Sequence, residues 1–212
     1  MAKKEHYYTQ FESGGIYHVY NRSIDKKPMF LNDENYMFFI RQFDKYLSDF
    51  IKIQAYCLLG NHFHFMIQIN DLPDLQTFQK LSNLSAENIN VHQIISHQFK
   101  KFFQSYAMAF NKQHNRVGTL FQTPFKRVLV KDEQHLLELV CYINTNAQKH
   151  GLVKDFKNWK WSSYNRTISE TPSKIQKEVV LEYFDGKENF IYVHDQFSCK
   201  IDELQRSFFI ED

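Results

Sequence analysis

The chain has 212 residues, enough for one domain with a sizeable core, and a 43% hydrophobic, 17% aromatic composition with 21 Phe describes a globular protein, not a disordered one. Six Gly and four Pro exclude collagen-like and Pro-rich architectures, and Cys57, Cys141 and Cys199 offer no C-x-x-C spacing for a zinc ribbon or a thioredoxin motif. The net charge of +2 hides a split, with seven basic residues and no acid from Lys100 to Lys131, then eight acids against three bases from Glu182 to Asp212. A basic middle and an acidic tail favour a polyanion-binding face mildly over an ordinary basic patch. The scattered cysteines, the lack of an apolar leader in MAKKEHYYTQFESGG and the lack of any membrane-length apolar run lead us to expect a cytoplasmic protein with no membrane partner.

Residues 15–22, GGIYHVYNR with its leading glycine, alternate as a first strand. Asn32 or Asp33 caps a helix to about Tyr46, with Tyr36, Phe39, Ile40, Phe43 and Leu47 at helical spacing. Residues 51–59 read as a second strand, Gly60-Asn61 as a two-residue turn, and residues 62–70 as an antiparallel third strand. Residues 71–90 are a polar connection with a short helix. A long helix follows from Val91 to about His114, with Ile95, Phe99, Phe102, Phe103, Tyr106 and Phe110 on one face. A fourth strand at 125–130 precedes a helix capped by Asp132 and stopped at Gly151. Further helices are expected near 174–184 and 189–209. The order β-α-β-β-α-β-α predicts an α+β fold, a four-stranded antiparallel sheet with helices packed on it, of ferredoxin or RRM type. We expect a domain at 1–165 and a C-terminal helical extension at 166–212.

The chemistry concentrates in Asn61-His62-Phe63-His64-Phe65. On a strand, His62 and His64 share one face and Phe63 and Phe65 the other. Two imidazoles on a rigid face form half of a divalent metal site. With ten His in the chain, a chance pair of satisfied histidines is the bland alternative. On the helix after Asp132, Leu136, Leu139, Val140 and Ile143 form the core stripe, whereas Tyr142 and Asn146 share an offset face with Glu138 and Lys149. The Asn146 amide could be a third metal ligand, and the Tyr142 phenol could attack a phosphate polarised by the metal. A tyrosine at the core edge and a polar helix end are the structural alternatives.

The ordered set YHVYNR (17–22), NHFHFMI (61–67), LFQTPFKRVLV (120–130), LLELVCYINTNAQKHGLV (136–153) and WKWSSY (159–164) resembles the single-tyrosine HUH transposases, in particular the IS200-like and REP-associated tyrosine transposase group. The resemblance covers roughly residues 14–165. It implies an HUH fold that cleaves and rejoins single-stranded, hairpin-flanked DNA through a 5′-phosphotyrosine, with magnesium or manganese as cofactor. It assigns Tyr142 as nucleophile and His62, His64 and Asn146 as metal ligands. The sequence departs from the family pattern at Ala147, where Pro usually follows the asparagine, at Gly60, and in lacking a Gly-Thr-Trp-His signature. Lys100, Lys101, Lys112, Arg116, Lys126 and Arg127 are candidate DNA phosphate contacts, and Trp161 and Tyr164 candidate base-stacking residues. Two further readings stay open: a domesticated hairpin DNA or RNA binder without cleavage, and a metal phosphodiesterase that uses water. Monomer and homodimer are both compatible with the sequence.

Overall fold

A computed structural model describes residues 9–71 and 90–199. Four strands, β1 (Ile16–Arg22), β2 (Ile51–Leu58), β3 (His62–Ile69) and β4 (Lys126–Leu129), form one antiparallel sheet in the order β2-β3-β1-β4. Helix α1 (Asp33–Leu47) links β1 to β2, α2 (Val91–Gln113) precedes β4, and α3 (Glu133–Lys149) follows it. The C-terminal part adds α4 (Tyr164–Ile168), α5 (Lys177–Tyr183) and α6 (Lys187–Cys199). The α+β architecture expected from the element order is the one found. The short helix expected within 71–90 and the end of the last expected helix, 200–209, fall outside the described residues.

Each long helix starts where a polar side chain satisfies a free backbone N–H. Asn32 accepts from the Asn35 amide, Asn90 from Gln93 in a reciprocal capping box, and Asp132 from His135. Gly151 takes the positive φ of +68° that ends α3.

The two faces of the sheet bury different cores. Val19, Phe63 and Phe65 point toward α1 and α2 and join Phe39, Phe43, Phe99, Phe102 and Tyr106 in an aromatic layer. The opposite face carries Cys57, Met66 and the histidines and lies under α3, which also packs on α6. Helix α3 is therefore covered on both sides, and its residues 139–147 are all buried.

The free edge of β2 is covered by the returning chain. Leu58 N–H donates to the Trp161 carbonyl, Ser163 N–H to Tyr56, and Gln176 N–H to Ile53, at 2.8–2.9 Å. This closes an edge that would otherwise offer unpaired backbone groups. No helix among the described residues is long and apolar enough to cross a membrane.

Candidate active site

His62 and His64 open β3 directly after the turn, so the hairpin fixes their register. Both are buried, with ring centroids 5.3 Å apart and planes at 85°. The turn is anchored from outside. Met29 N–H donates to the Gly60 carbonyl at 2.9 Å, and Ser23 N–H to the Asn61 carbonyl at 2.9 Å.

Asn61 sets the tautomer of His62. Its amide nitrogen donates to the Lys26 carbonyl at 2.9 Å, which turns its oxygen toward His62 Nδ1 at 2.6 Å. An amide oxygen only accepts, so His62 carries its proton on Nδ1, and Nε2 keeps the lone pair a metal needs. His64 Nδ1 shares a hydrogen bond with His18 Nε2 at 2.9 Å, deep under the helix layer. When His64 donates in that bond, its Nε2 is likewise a ligand.

Helix α3 runs over the pair with Tyr142, Asn146 and His150 at four-residue spacing on one face. The Tyr142 ring meets His64 edge-on at 5.6 Å, and the His150 ring meets His62 at 4.7 Å. Tyr142 stands over one histidine and His150 over the other, and Asn146 lies midway between them along this helix face. Asn146 is 0% exposed, and neither its amide oxygen nor its amide nitrogen has a hydrogen-bond partner among the described residues. Its neighbours on the helix differ. Asn144 accepts from Ser163 Oγ at 2.6 Å and donates to His194 Nε2 at 3.0 Å, and Thr145 donates to the Cys141 carbonyl at 2.8 Å. A dry unpartnered amide costs about 1–3 kcal/mol, which an ion or ordered water would relieve.

Among the described residues no cluster of three His, Cys, Asp or Glu is placed to hold a metal. Two imidazoles and an amide form a donor set of another kind, and His62, His64 and Asn146 suit a divalent ion. Cys57 lies across from His64 in the β2–β3 register. Burial pushes its thiol well above the ordinary range, so burial favours the neutral thiol.

The site carries cations and no acid on its open side. A small open cleft is bordered by His62 and His64 and walled by Tyr20, Arg22, Gln122 and Lys126. Tyr20 pairs with both His64 and Lys126 across the sheet, and Arg22 pairs with His62. Lys126 Nζ lies 5.5 Å from the centre of the Tyr20 ring, and Lys149 Nζ lies 4.5 Å from that of Tyr142.

Of the basic residues expected at DNA, only Lys126 stands beside the histidines. Arg127 is a correction, because adjacent strand residues point to opposite faces. It is 7% exposed, its Nε donates to the Thr9 carbonyl, and its guanidinium sits between Phe11 and Phe125 at 5.3 and 5.2 Å. Lys100, Lys101 and Lys112 ride on α2, across the sheet from the histidines. Arg116 ties its own loop, donating to Asn111 Oδ1 at 2.9 Å and the Thr119 carbonyl at 2.8 Å. Tyr164 is a second correction. At 1% exposed and packed on Phe156, Phe190 and His194, it has no ring face for a base. Trp161 stacks on Tyr36 at 4.6 Å and covers the sheet edge.

His18, His150, Arg22 and Tyr20 complete the site, and none was picked out from sequence. The signal for three of them was present, since YHVYNR places His18, Tyr20 and Arg22 on one face by alternation.

No family model matches the chain. A Haemophilus influenzae protein provisionally named a REP-associated tyrosine transposase is 26% identical over 164 residues, which span 76% of this chain and 86% of the relative. A solved structure of a REP-associated tyrosine transposase bound to a REP hairpin superposes with a TM-score of 0.57 at 17% identity, covering 78% of this chain and 87% of the other. The resemblance read from the motifs is borne out by both, and the fold is shared with that solved REP-associated tyrosine transposase.

Proposed function

We propose that this chain, similar in sequence and fold to REP-associated tyrosine transposases, cleaves and rejoins single-stranded, hairpin-flanked DNA through a covalent 5′-phosphotyrosine at Tyr142. The observation that carries the reading is one helix face that sets the Tyr142 phenol ring against His64 and, one turn on, carries an unpartnered buried amide. His62, His64 and Asn146 would hold Mg2+ or Mn2+, which when bound supplies Lewis-acid polarisation of the scissile phosphate.

The chain's own residues do the rest. Asn61 and His18 hold the two imidazoles in place. Lys149, beside the Tyr142 ring, favours negative charge on the phenol oxygen as the P–O bond to tyrosine breaks during rejoining. The packed surroundings of Tyr142, itself 4% exposed, restrict the access of water to the phosphotyrosyl bond. That bond retains the energy of the diester it replaces, so rejoining needs no nucleotide cofactor. The hairpin partner is inferred from the relative solved with a REP hairpin.

The test is a denaturing gel for a protein–DNA adduct. Single-stranded hairpin DNA from the flanks of the gene and a randomised hairpin library are incubated with protein and Mn2+. The expected adduct disappears in Tyr142→Phe and in His64→Ala. An adduct that persists in Tyr142→Phe removes the nucleophile assignment. Hairpin binding with no adduct in the unaltered protein selects the non-cleaving binder, and free 5′-phosphate ends with no adduct select the water-using phosphodiesterase.

A further inference from the structure

We propose that the cleft beside the histidines, formed by Tyr20, Arg22 and Lys126, holds the departing strand, the segment that ends in a 3′-hydroxyl after cleavage and attacks during rejoining. The inference rests on the phosphotyrosine reading and adds to it the place of the second DNA segment. The observation is the two-sidedness of the site. Tyr142 on α3 and His150 at its C-terminal cap meet the histidines from the helix side. The cleft borders the same two histidines, yet no residue of α3 lines it. A phosphate seated at the histidines is attacked from the α3 side. In phosphoryl transfer the leaving oxygen departs roughly in line with the attacking one, so it leaves toward the cleft.

The atoms balance in this arrangement. The Tyr142 oxygen forms a bond to phosphorus and its proton passes to water. The P–O3′ bond breaks and O3′ takes a proton from water. Rejoining runs the same steps backward.

The lining of the cleft fits a nucleotide segment. Arg22 and Lys126 supply two cations to the next phosphate along the strand, and no carboxylate lines the walls. Arg22 forms no ion pair among the described residues. Tyr20 stacks on His64 at 5.6 Å and carries Lys126 over its ring, which fixes that cation beside the histidines. Gln122 is fixed at the rim by its backbone, whose N–H donates to the Arg22 carbonyl at 2.9 Å.

The test separates cleavage from strand capture. The protein is first trapped as an adduct on flanking hairpin DNA whose upstream segment is too short to stay bound. An oligonucleotide with a free 3′-hydroxyl is then added, and rejoined product is followed against its concentration. With each chain brought to the same amount of adduct, Arg22→Gln and Lys126→Gln are each expected to raise the half-saturating concentration of that oligonucleotide on the order of tenfold. Each also flattens the log–log salt slope of capture by about one. Arg22→Lys is expected to recover most of the loss. If both glutamine variants form the adduct and capture the oligonucleotide as the unaltered protein does, the proposal is overturned and the nucleophile assignment stands. If they instead slow adduct formation on the truncated DNA with capture unchanged, the cleft serves the other strand and the proposal is likewise overturned. Absence of adduct with the unaltered protein removes the phosphotyrosine reading, and this proposal falls with it.

Discussion

His194 on α6 should make the docking of the C-terminal helices acid-labile. Its Nδ1–H donates to the Phe190 carbonyl at 2.7 Å, and its Nε2 accepts from Asn144 Nδ2 at 3.0 Å. Both ring nitrogens are thus used in the neutral form. Burial is the main cause that pushes its pKa from the ordinary 6.5 to about 4, with Lys157 a minor one and Asp195 opposing it. The folded chain keeps this ring neutral where the unfolded chain takes up a proton. The stabilisation is complete above pH 6.5 and drains away as pH falls toward about 4. A shift from 6.5 to about 4 corresponds to about 3 kcal/mol at 1.36 kcal/mol per unit. Other carboxylates titrate in the same window, so His194→Gln isolates the effect. Glutamine can donate to Phe190 and accept from Asn144 but does not ionise. Urea unfolding followed by the fluorescence of Trp159 and Trp161 gives stability at each pH. The variant is expected to be about 1 kcal/mol less stable at pH 7 and more stable than the original chain at pH 4.5. Stability curves that stay parallel between pH 7 and pH 4 would refute the reasoning.

Two further expectations address the site and its scaffold. Asn61→Ala frees the His62 ring and should weaken Mn2+ binding, read by electron paramagnetic resonance, on the order of tenfold, whereas Asn61→Asp keeps the acceptor and should bind at least as well; equal affinity in all three chains would dismiss the tautomer argument. Arg127→Gln should lower stability by about 1–2 kcal/mol through lost stacking and the lost hydrogen bond to the Thr9 carbonyl and leave oligonucleotide affinity unaltered; weaker DNA binding at unchanged melting temperature would return Arg127 to the DNA surface.

The sheet and the histidine pair were readable because alternation carries both. NHFHFMI must send His62 and His64 one way and Phe63 and Phe65 the other, and one buried face settles the register. The α3 stripe was readable in the same way, but its second buried face was not. Asn144 and Thr145 look like a solvated flank, and only the C-terminal helices with His194 and Ser163 turn that flank inward. The same hidden layer buries Tyr164. No local motif announces a helix that arrives fifty residues later. Arg127 is different in kind, since its opposition to Lys126 follows from strand geometry once β4 is placed in the sheet.

Tyr142 and His64 touch within one chain, with ring centroids 5.6 Å apart, and α3 is gripped by packing on both flanks. On the proposed chemistry, every copy of the protein is then self-sufficient. Chains damaged at different residues of the site have nothing to lend each other. A mixture of Tyr142→Phe and His64→Ala protein should stay as inactive as either alone, so complementation between defective copies is closed to this architecture, and each gene stands or falls by its own product.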